Sequence, residues 1–328
     1  MRLARAGARV FGYALAPDTR PAMFDAACVA DGLAVSTIAD IRDTERLSER
    51  MRSASPEIVF HLAAQPLVRR SYREPVETWD VNVMGTVAVF EAVRECPAVA
   101  GVVAVTTDKV YAHRGDPHPF RETDPLGGYD PYSASKAASE LVAASYRDAF
   151  LRDRNVAVAT ARAGNVIGGG DWADERLIPD VVRAAYEGRP LAIRYPDAIR
   201  PWQHVLDAID GYVRVGACML AGDGERVSRA WNFGPDPRDV APVRDVVSAA
   251  STVFGIQSSF APAPAEFVEA AALTLDSSEA RDALAWESRL HLADAIAWTA
   301  EWYRAFYTGG DVGALTSQQI AAYEGVAS

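Results

Sequence analysis

Short apolar runs separated by longer amphipathic stretches dominate the first half of the chain, at Val10 to Leu15, Glu57 to Leu62, Gly101 to Thr106 and Val156 to Ala161. Runs of this length read as strands buried on both faces, the habit of parallel sheets, and parallel neighbours need a crossover between them. The intervening stretches Glu45 to Ser53, Asn82 to Glu95 and Tyr132 to Phe150 read as those crossover helices. The last opens just after Pro131, whose fixed φ suits a first turn. The chain is therefore expected to be α/β, a doubly wound parallel sheet. From about Gly168 the texture shifts to Gly, Pro and Trp, as in Gly168-Gly169-Gly170-Asp171-Trp172 and Arg200-Pro201-Trp202. Such segments suit a smaller lobe laid over the carboxyl ends of the strands, where open α/β sheets take their ligands. Ala293 to Tyr307 reads as an amphipathic helix whose Trp298, Trp302, Tyr303 and Phe306 belong to a core.

At 328 residues and 49% hydrophobic, the chain can bury one large core or a core with a smaller companion. Its 33 basic against 44 acidic residues leave a net charge of −11, which repels a phosphate backbone and argues against nucleic acid as a partner. A small anionic substrate remains compatible, because a local arginine cluster binds a diphosphate whatever the global charge. Cys28, Cys96 and Cys218 are odd in number and widely spaced, which argues against a disulfide framework and against zinc, and suits a reducing cytoplasm. No run approaches the roughly 20 apolar residues of a membrane span, and no signal pattern opens the chain, so a cytoplasmic protein without a membrane is expected.

Of the 33 basic residues, only Lys109 and Lys136 are lysine. In a chain that otherwise writes its positive charge as arginine, a lysine marks a place for a compact ammonium with a tunable pKa. Both lie in suggestive strings. Tyr132-Ser-Ala-Ser-Lys136 places a phenol and an ammonium four residues apart on one helix face. A cation there is expected to lower the phenol's pKa, making Tyr132 a general acid/base. Thr106-Thr107-Asp108-Lys109 follows an apolar strand, at the end that faces a ligand crevice, and offers a hydroxyl, an acid and a base.

The strings Pro56-Glu-Ile-Val-Phe-His-Leu-Ala-Ala-Gln-Pro-Leu-Val-Arg69, Asn82-Val-Met-Gly-Thr86, Asp124-Pro-Leu-Gly-Gly-Tyr-Asp-Pro-Tyr132, Arg162-Ala-Gly-Asn-Val-Ile-Gly-Gly-Gly-Asp-Trp172 and Ile199-Arg-Pro-Trp-Gln-His-Val205 resemble the bacterial CDP-glucose 4,6-dehydratases. These are extended short-chain dehydrogenase/reductases, and the resemblance covers nearly the whole chain. It implies a Rossmann-like NAD-binding domain at residues 1–166 and 203–233, with a sugar-nucleotide lobe at 167–202 and 234–328. It also implies a homodimer that dehydrates CDP-glucose to the 4-keto-6-deoxy sugar, a step in deoxysugar biosynthesis. Tyr132, Lys136 and Thr107 match the base, its helper and the third member of the set. Asp108 and Lys109 match the pair that completes dehydration, with Lys109 favoured as base and Asp108 as acid. Asp40 and Ile41 match an adenine contact, Leu62, Ala63 and Ala64 the turn along the cofactor, and Thr106, Tyr132 and Lys136 its reacting end. Asn165, Arg176 and Arg200 match positions that hold the sugar nucleotide and its diphosphate.

One element of that pattern is not found. The family begins with a strand and a Gly-rich turn whose amides hold the cofactor diphosphate, whereas Arg2 to Val10 reads as a helix end running into the second strand. The expectation is a chain lacking its first strand and Gly-rich turn, with a gap at the sheet centre. Two further readings stay open, an NAD-dependent sugar-nucleotide 4-epimerase and a catalytically silent sugar-nucleotide binding protein.

Overall fold

The computed structural model describes residues 1–112, 118–193, 195–256, 258–260 and 272–325. Strand β1 (Phe11–Ala14) pairs in parallel with β2 (Val35–Ile38). Helix α1 (Thr44–Ala54), capped by the Asp43 carboxylate at the Arg46 amide, leads into β3 (Ile58–His61). Helix α2 (Gly85–Arg94) and β4 (Gly101–Val105) follow. Helix α3 (Pro131–Tyr146) has Pro131 in its first turn and Asp130 accepting from the Ser133 amide at 2.9 Å. It precedes β5 (Ala157–Ala163). Next come β6 (Asn165–Ile167), α4 (Leu177–Glu187), β7 (Leu191–Ile193), β8 (Ile199–His204) and α5 (Val205–Leu220). Strands β9 (Ala230–Phe233) and β10 (Val240–Pro242), α6 (Val243–Phe254), β11 (Ser258–Phe260), α7 (Leu292–Tyr307) and α8 (Val312–Gly325) complete the order.

The central sheet runs β3-β4-β5-β9, all parallel. Alternation along its strands loads both faces. Val102 and Val158 join Leu47, Met51, Phe90 and Val93 from α1 and α2 on one side. Val103, Ala159 and Ala161 meet Tyr212, Val215 and Met219 of α5 on the other. Small residues let α5 lie close: a Cβ at Gly211 would run into Phe233, and one at Gly101 into Met219. The α/β expectation is met, as are all four anticipated strands, each within a residue or two of its predicted ends.

The β1-β2 pair is not hydrogen-bonded to the central sheet, so the sheet is in two parts, and the expected break falls between β1 and β3. Among the described residues, no Gly-rich turn joins β1, β2 or β3 to the helix after it.

A separate core holds the second lobe, where Trp172 meets Trp302, Tyr303 and Phe306 edge-on or tilted, with Ile178, Val181 and Val246 around them. Met23, Ala26 and Ala27, from the first part of the chain, pack into that core too. The aromatic tail helix is a core element as expected, with Trp302 and Tyr303 almost fully buried and Trp298 edge-on to His204. No helix among the described residues is long and apolar enough to cross a membrane.

Gly169 sits against the face of Trp302, so an added Cβ would run into the indole. Gly169→Ala should therefore lower unfolding free energy by about 1–3 kcal/mol. Gly32→Ala, whose new methyl would meet only Ala4 Cβ at 3.8 Å, should stay within a few tenths of wild type. Chemical denaturation of the two variants side by side makes the check, and equal midpoints would count against this packing.

Candidate active site

A cavity of about 630 Å³ opens where β4, β5 and β6 end, between the sheet and the second lobe. Thr106, Thr107, Lys109, Tyr132, Asn165, Arg176 and Arg200 all line it, so residues spread over almost 100 positions converge on one wall. Asp108 and Lys136 are part of the same wall but lie behind its surface, with Asp108 fully buried and Lys136 nearly so.

The wall is a helix face docked on a strand exit. Pro131 and the Asp130 cap start α3 so that Tyr132 is in its first turn and Lys136 one turn later. Tyr132 lines the cavity together with Thr107, whose hydroxyl eases the phenol's pKa downward. The Lys136 ammonium donates to the Val105 carbonyl at 2.8 Å. Beyond β4, Thr107 donates to Asp108 Oδ1 at 3.0 Å, and Lys109 Nζ stands 3.5 Å from that oxygen. Asp108 Oδ2 is buried without a partner, as is Asn165 Oδ1. Buried acceptors are seldom left unpaired, and two on one cavity mark a place for a polar ligand.

Electrostatics here depart from the sequence-based expectation. Lys136 was expected to hold the Tyr132 phenol's pKa down, yet burial pushes Tyr132 up to about 12, with only partial relief from Thr107 and Arg176. The reason is that Lys136 spends a hydrogen bond on Val105, while its own burial draws it down to about 8. A desolvated ammonium held by a backbone carbonyl cannot pull the phenol's proton off by itself.

The three cofactor strings divide. Asp40, at the end of β2, is held by Arg42 through contacts of 2.6 to 3.1 Å, and Ile41 is buried with Gly85 packed on it. Leu62, after β3, is 56% exposed beside Ala63 and Ala64. None of these five lines the cavity; they extend the crevice along the carboxyl ends of β2 and β3. Thr106 lines the cavity, but its hydroxyl donates inward to Glu140 at 2.5 Å.

Several wall residues were not anticipated. Arg69 and Tyr72 follow β3, and Tyr212 reaches in from α5. Glu175 holds a left-handed backbone at φ +62° and stands 3.8 Å from Arg69 and 3.6 Å from Arg73. A non-glycine residue in that region is uncommon and costs of order 1 kcal/mol. Arg69 was visible in a quoted string, whereas nothing local in the sequence points Tyr212 at the cavity.

A parallel α/β sheet carrying Tyr-x-x-x-Lys on the helix beside its β4 exit is the arrangement of the extended short-chain dehydrogenase/reductase class, and solved structures similar to it in fold include a UDP-glucose 4-epimerase from Thermotoga maritima. Within that class, residues 30–299 match the model of the GDP-mannose 4,6 dehydratase family, and the chain belongs to it. It is 42% identical over 98% of its length to a CDP-glucose 4,6-dehydratase of Salmonella typhimurium, covering 90% of that protein. It is 30% identical to a UDP-glucose 4-epimerase of Mycolicibacterium smegmatis over 81% of this chain and 82% of that one. In fold it is similar to a dTDP-glucose 4,6-dehydratase double mutant from Streptomyces venezuelae solved with NAD, at a TM-score of 0.79, 24% identity and 94% of each chain.

His61, at the end of β3, stands 3.0 Å from Thr86 Oγ1, whose own proton goes to the Asn82 carbonyl. His61 Nε2 is therefore the donor, and the ring is neutral. Burial draws His61 down to about 3 and His204, whose Nδ1 accepts from the Leu206 amide, down to about 4. Folded values below the ordinary 6.5 mean that the unfolded chain binds more protons between them. Stability is thus lost as pH falls from 6.5 towards 4, by about 1.4 kcal/mol per unit for each histidine. Denaturation midpoints across that range should show this slope, and His204→Asn, which keeps an amide cap, should flatten it. An unchanged slope in the variant would sink the assignment.

Proposed function

We propose that this chain is an NAD-dependent hydro-lyase that converts CDP-glucose to CDP-4-keto-6-deoxyglucose. The observation that carries the reading is that Tyr132, Thr107 and Lys109 line one cavity, with Asp108 buried behind them and bonded to both Thr107 and Lys109. The 42% identity to a protein of that activity supports the nucleotide. Asn165, Arg176 and Arg200 are the positions for the sugar nucleotide, the last with its guanidinium braced on the Ile199 carbonyl at 2.8 Å.

For the cofactor, Tyr132 and Lys136 suit the nicotinamide ribose, Asp40 offers a carboxylate, and Ile41 with Leu62 to Ala64 gives an apolar edge along the crevice. This donor set fits NAD at its reacting end and along the strand ends; among the described residues, none presents a Gly-rich turn to the diphosphate. When bound, NAD would supply a hydride acceptor and later donor.

Tyr132 acts as its phenolate, formed by losing the buried proton to water, and takes the proton of the carbon 4 hydroxyl as that carbon becomes a ketone, with Thr107 orienting the oxygen. The ketone acidifies the carbon 5 proton. Lys109 removes it, and Asp108 gives a proton to the departing carbon 6 hydroxyl, which leaves as water. Lys109 then returns its proton to carbon 5, and, with the hydride that bound NAD would give back, no net redox change occurs. The reading includes a homodimer in the cytoplasm, in keeping with three unpaired cysteines and with exposed apolar side chains such as Met84 and Leu141.

Incubation with CDP-glucose and NAD should give a 4-keto-6-deoxy sugar, recognised by ultraviolet absorbance in alkali, and Tyr132→Phe should slow it by about 10²-fold or more with substrate binding retained. A 4-epimer as product would replace the reading with its epimerase rival, no product at all with its binding-protein rival, and full turnover by the variant would remove Tyr132 as the base. Lys109→Arg keeps the charge but cannot deprotonate at working pH. Its expected phenotype is reduced cofactor accumulating at ~340 nm, the reduced-nicotinamide band, with no keto-deoxy product; normal dehydration would remove Lys109 as the base.

A further inference from the structure

Helix α3 presents Tyr132, Lys136 and Glu140 one turn apart on a single face, and that face meets three consecutive residues at the end of β4. Lys136 bonds the Val105 carbonyl and Glu140 the hydroxyl of Thr106, while Tyr132 lines the cavity beside Thr107. Glu140 is only 5% exposed, and both of its oxygens are filled. Oε1 accepts from Thr106 at 2.5 Å and Arg162 Nε at 2.9 Å; Oε2 accepts from Thr160 at 2.6 Å and Arg162 Nη2 at 2.9 Å. Arg162 cannot swing away, because its Nη1 donates to the Tyr111 hydroxyl at 2.8 Å and the Glu122 carbonyl at 3.2 Å. Tyr111 is held in turn by Asn232 at 2.6 Å.

Stability alone is a poor reason for this arrangement, since a buried ion pair is often matched by well-packed apolar residues of the same volume. Its place in the fold supplies a better one. We propose that Glu140 is a positioning residue for the acid–base pair: clamped by Arg162, its carboxylate fixes Thr106 at the exit of β4 and sets a negative charge one helical turn from the Lys136 ammonium. The role rests on the reading of Tyr132 and Lys136 as the reacting pair.

The titratable and charged groups around Lys136 are Tyr132 and Glu140 on its own helix, His61 on β3, Arg162 on β5 behind Glu140, and Asp108 with Lys109 on the turn after β4. His61 is neutral, and Arg162 is spent on Glu140. Glu140 is the charge that opposes the burial drawing Lys136 down to about 8. Removing it should let the ammonium lose its proton at a lower pH.

The chain offers a direct readout, because it contains only two lysines. Protein carrying ¹³C at lysine Cε gives two resonances, and Lys109→Arg assigns them. In the wild type the Lys136 resonance should titrate near 8. In Glu140→Gln its midpoint should fall by about one unit, the alkaline limb of kcat should move down with it, and KM for the sugar nucleotide should hold. Glu140→Gln leaves Arg162 buried and uncompensated, so if that variant does not fold, Glu140→Gln/Arg162→Gln removes both charges and is titrated instead, with the same direction expected. A Lys136 midpoint unmoved in the folded variant overturns the proposal. Failure of the wild type to dehydrate CDP-glucose would overturn the assigned reaction while leaving the lysine titration as it was.

Discussion

The docking of α3 on the exit of β4 is the constraint on which the rest of the site depends. A strand end has no ladder beyond it to fix the next residues, and here a helix face does that work through Val105 and Thr106. The buried Glu140–Arg162 pair ties this junction to β5, and Arg162 passes the tie through Tyr111 to Asn232, its register partner on the neighbouring strand β9. Such a network is fully satisfied, the condition under which buried polar groups stiffen a core instead of weakening it. Asp108 is left with one oxygen free at the centre of an otherwise satisfied region.

The second lobe owes its shape to aromatic packing. Trp172 lies among Trp302, Tyr303 and Phe306, and Gly169 leaves the space that the Trp302 ring fills. That packing brings the segment from Gly168 to Arg176 over the cavity, carrying Arg176 and Glu175 with it. Arg200 arrives separately on β8, which pairs with β6 in register Asn165 to Trp202. The arginines therefore reach the anionic end of the cavity from different elements, and their spacing is a property of the sheet. A local arginine group in a chain of net charge −11 also reconciles an acidic protein with an anionic substrate.

Much of this was legible in the sequence for a definite reason. The strands of the central sheet are buried on both faces, so their apolar runs are unbroken, and the Pro131 start and Tyr-x-x-x-Lys spacing fix α3 by local chemistry alone. Scarcity singled out Lys109 and Lys136. The weaker strands β6, β7, β8 and β10 carry no such runs, because short strands in a mixed lobe are defined by their partners.

What the sequence determined by itself was the local order of the candidate groups: which helix carries Tyr132 and which strand end carries Thr107 to Lys109. Only the tertiary structure decided their electrostatics. Burial is a property of the packed chain, and it sends Tyr132 up and Lys136 down, against the simple expectation from a four-residue spacing. Tertiary structure likewise chose the partner of Lys136, a backbone carbonyl 31 residues away, and brought Arg162 of β5 onto Glu140 of α3. Spacing along a helix is set by covalent geometry and reads directly from sequence. The dielectric around a side chain, and the charge facing it across a sheet, exist only once distant segments have closed upon one another.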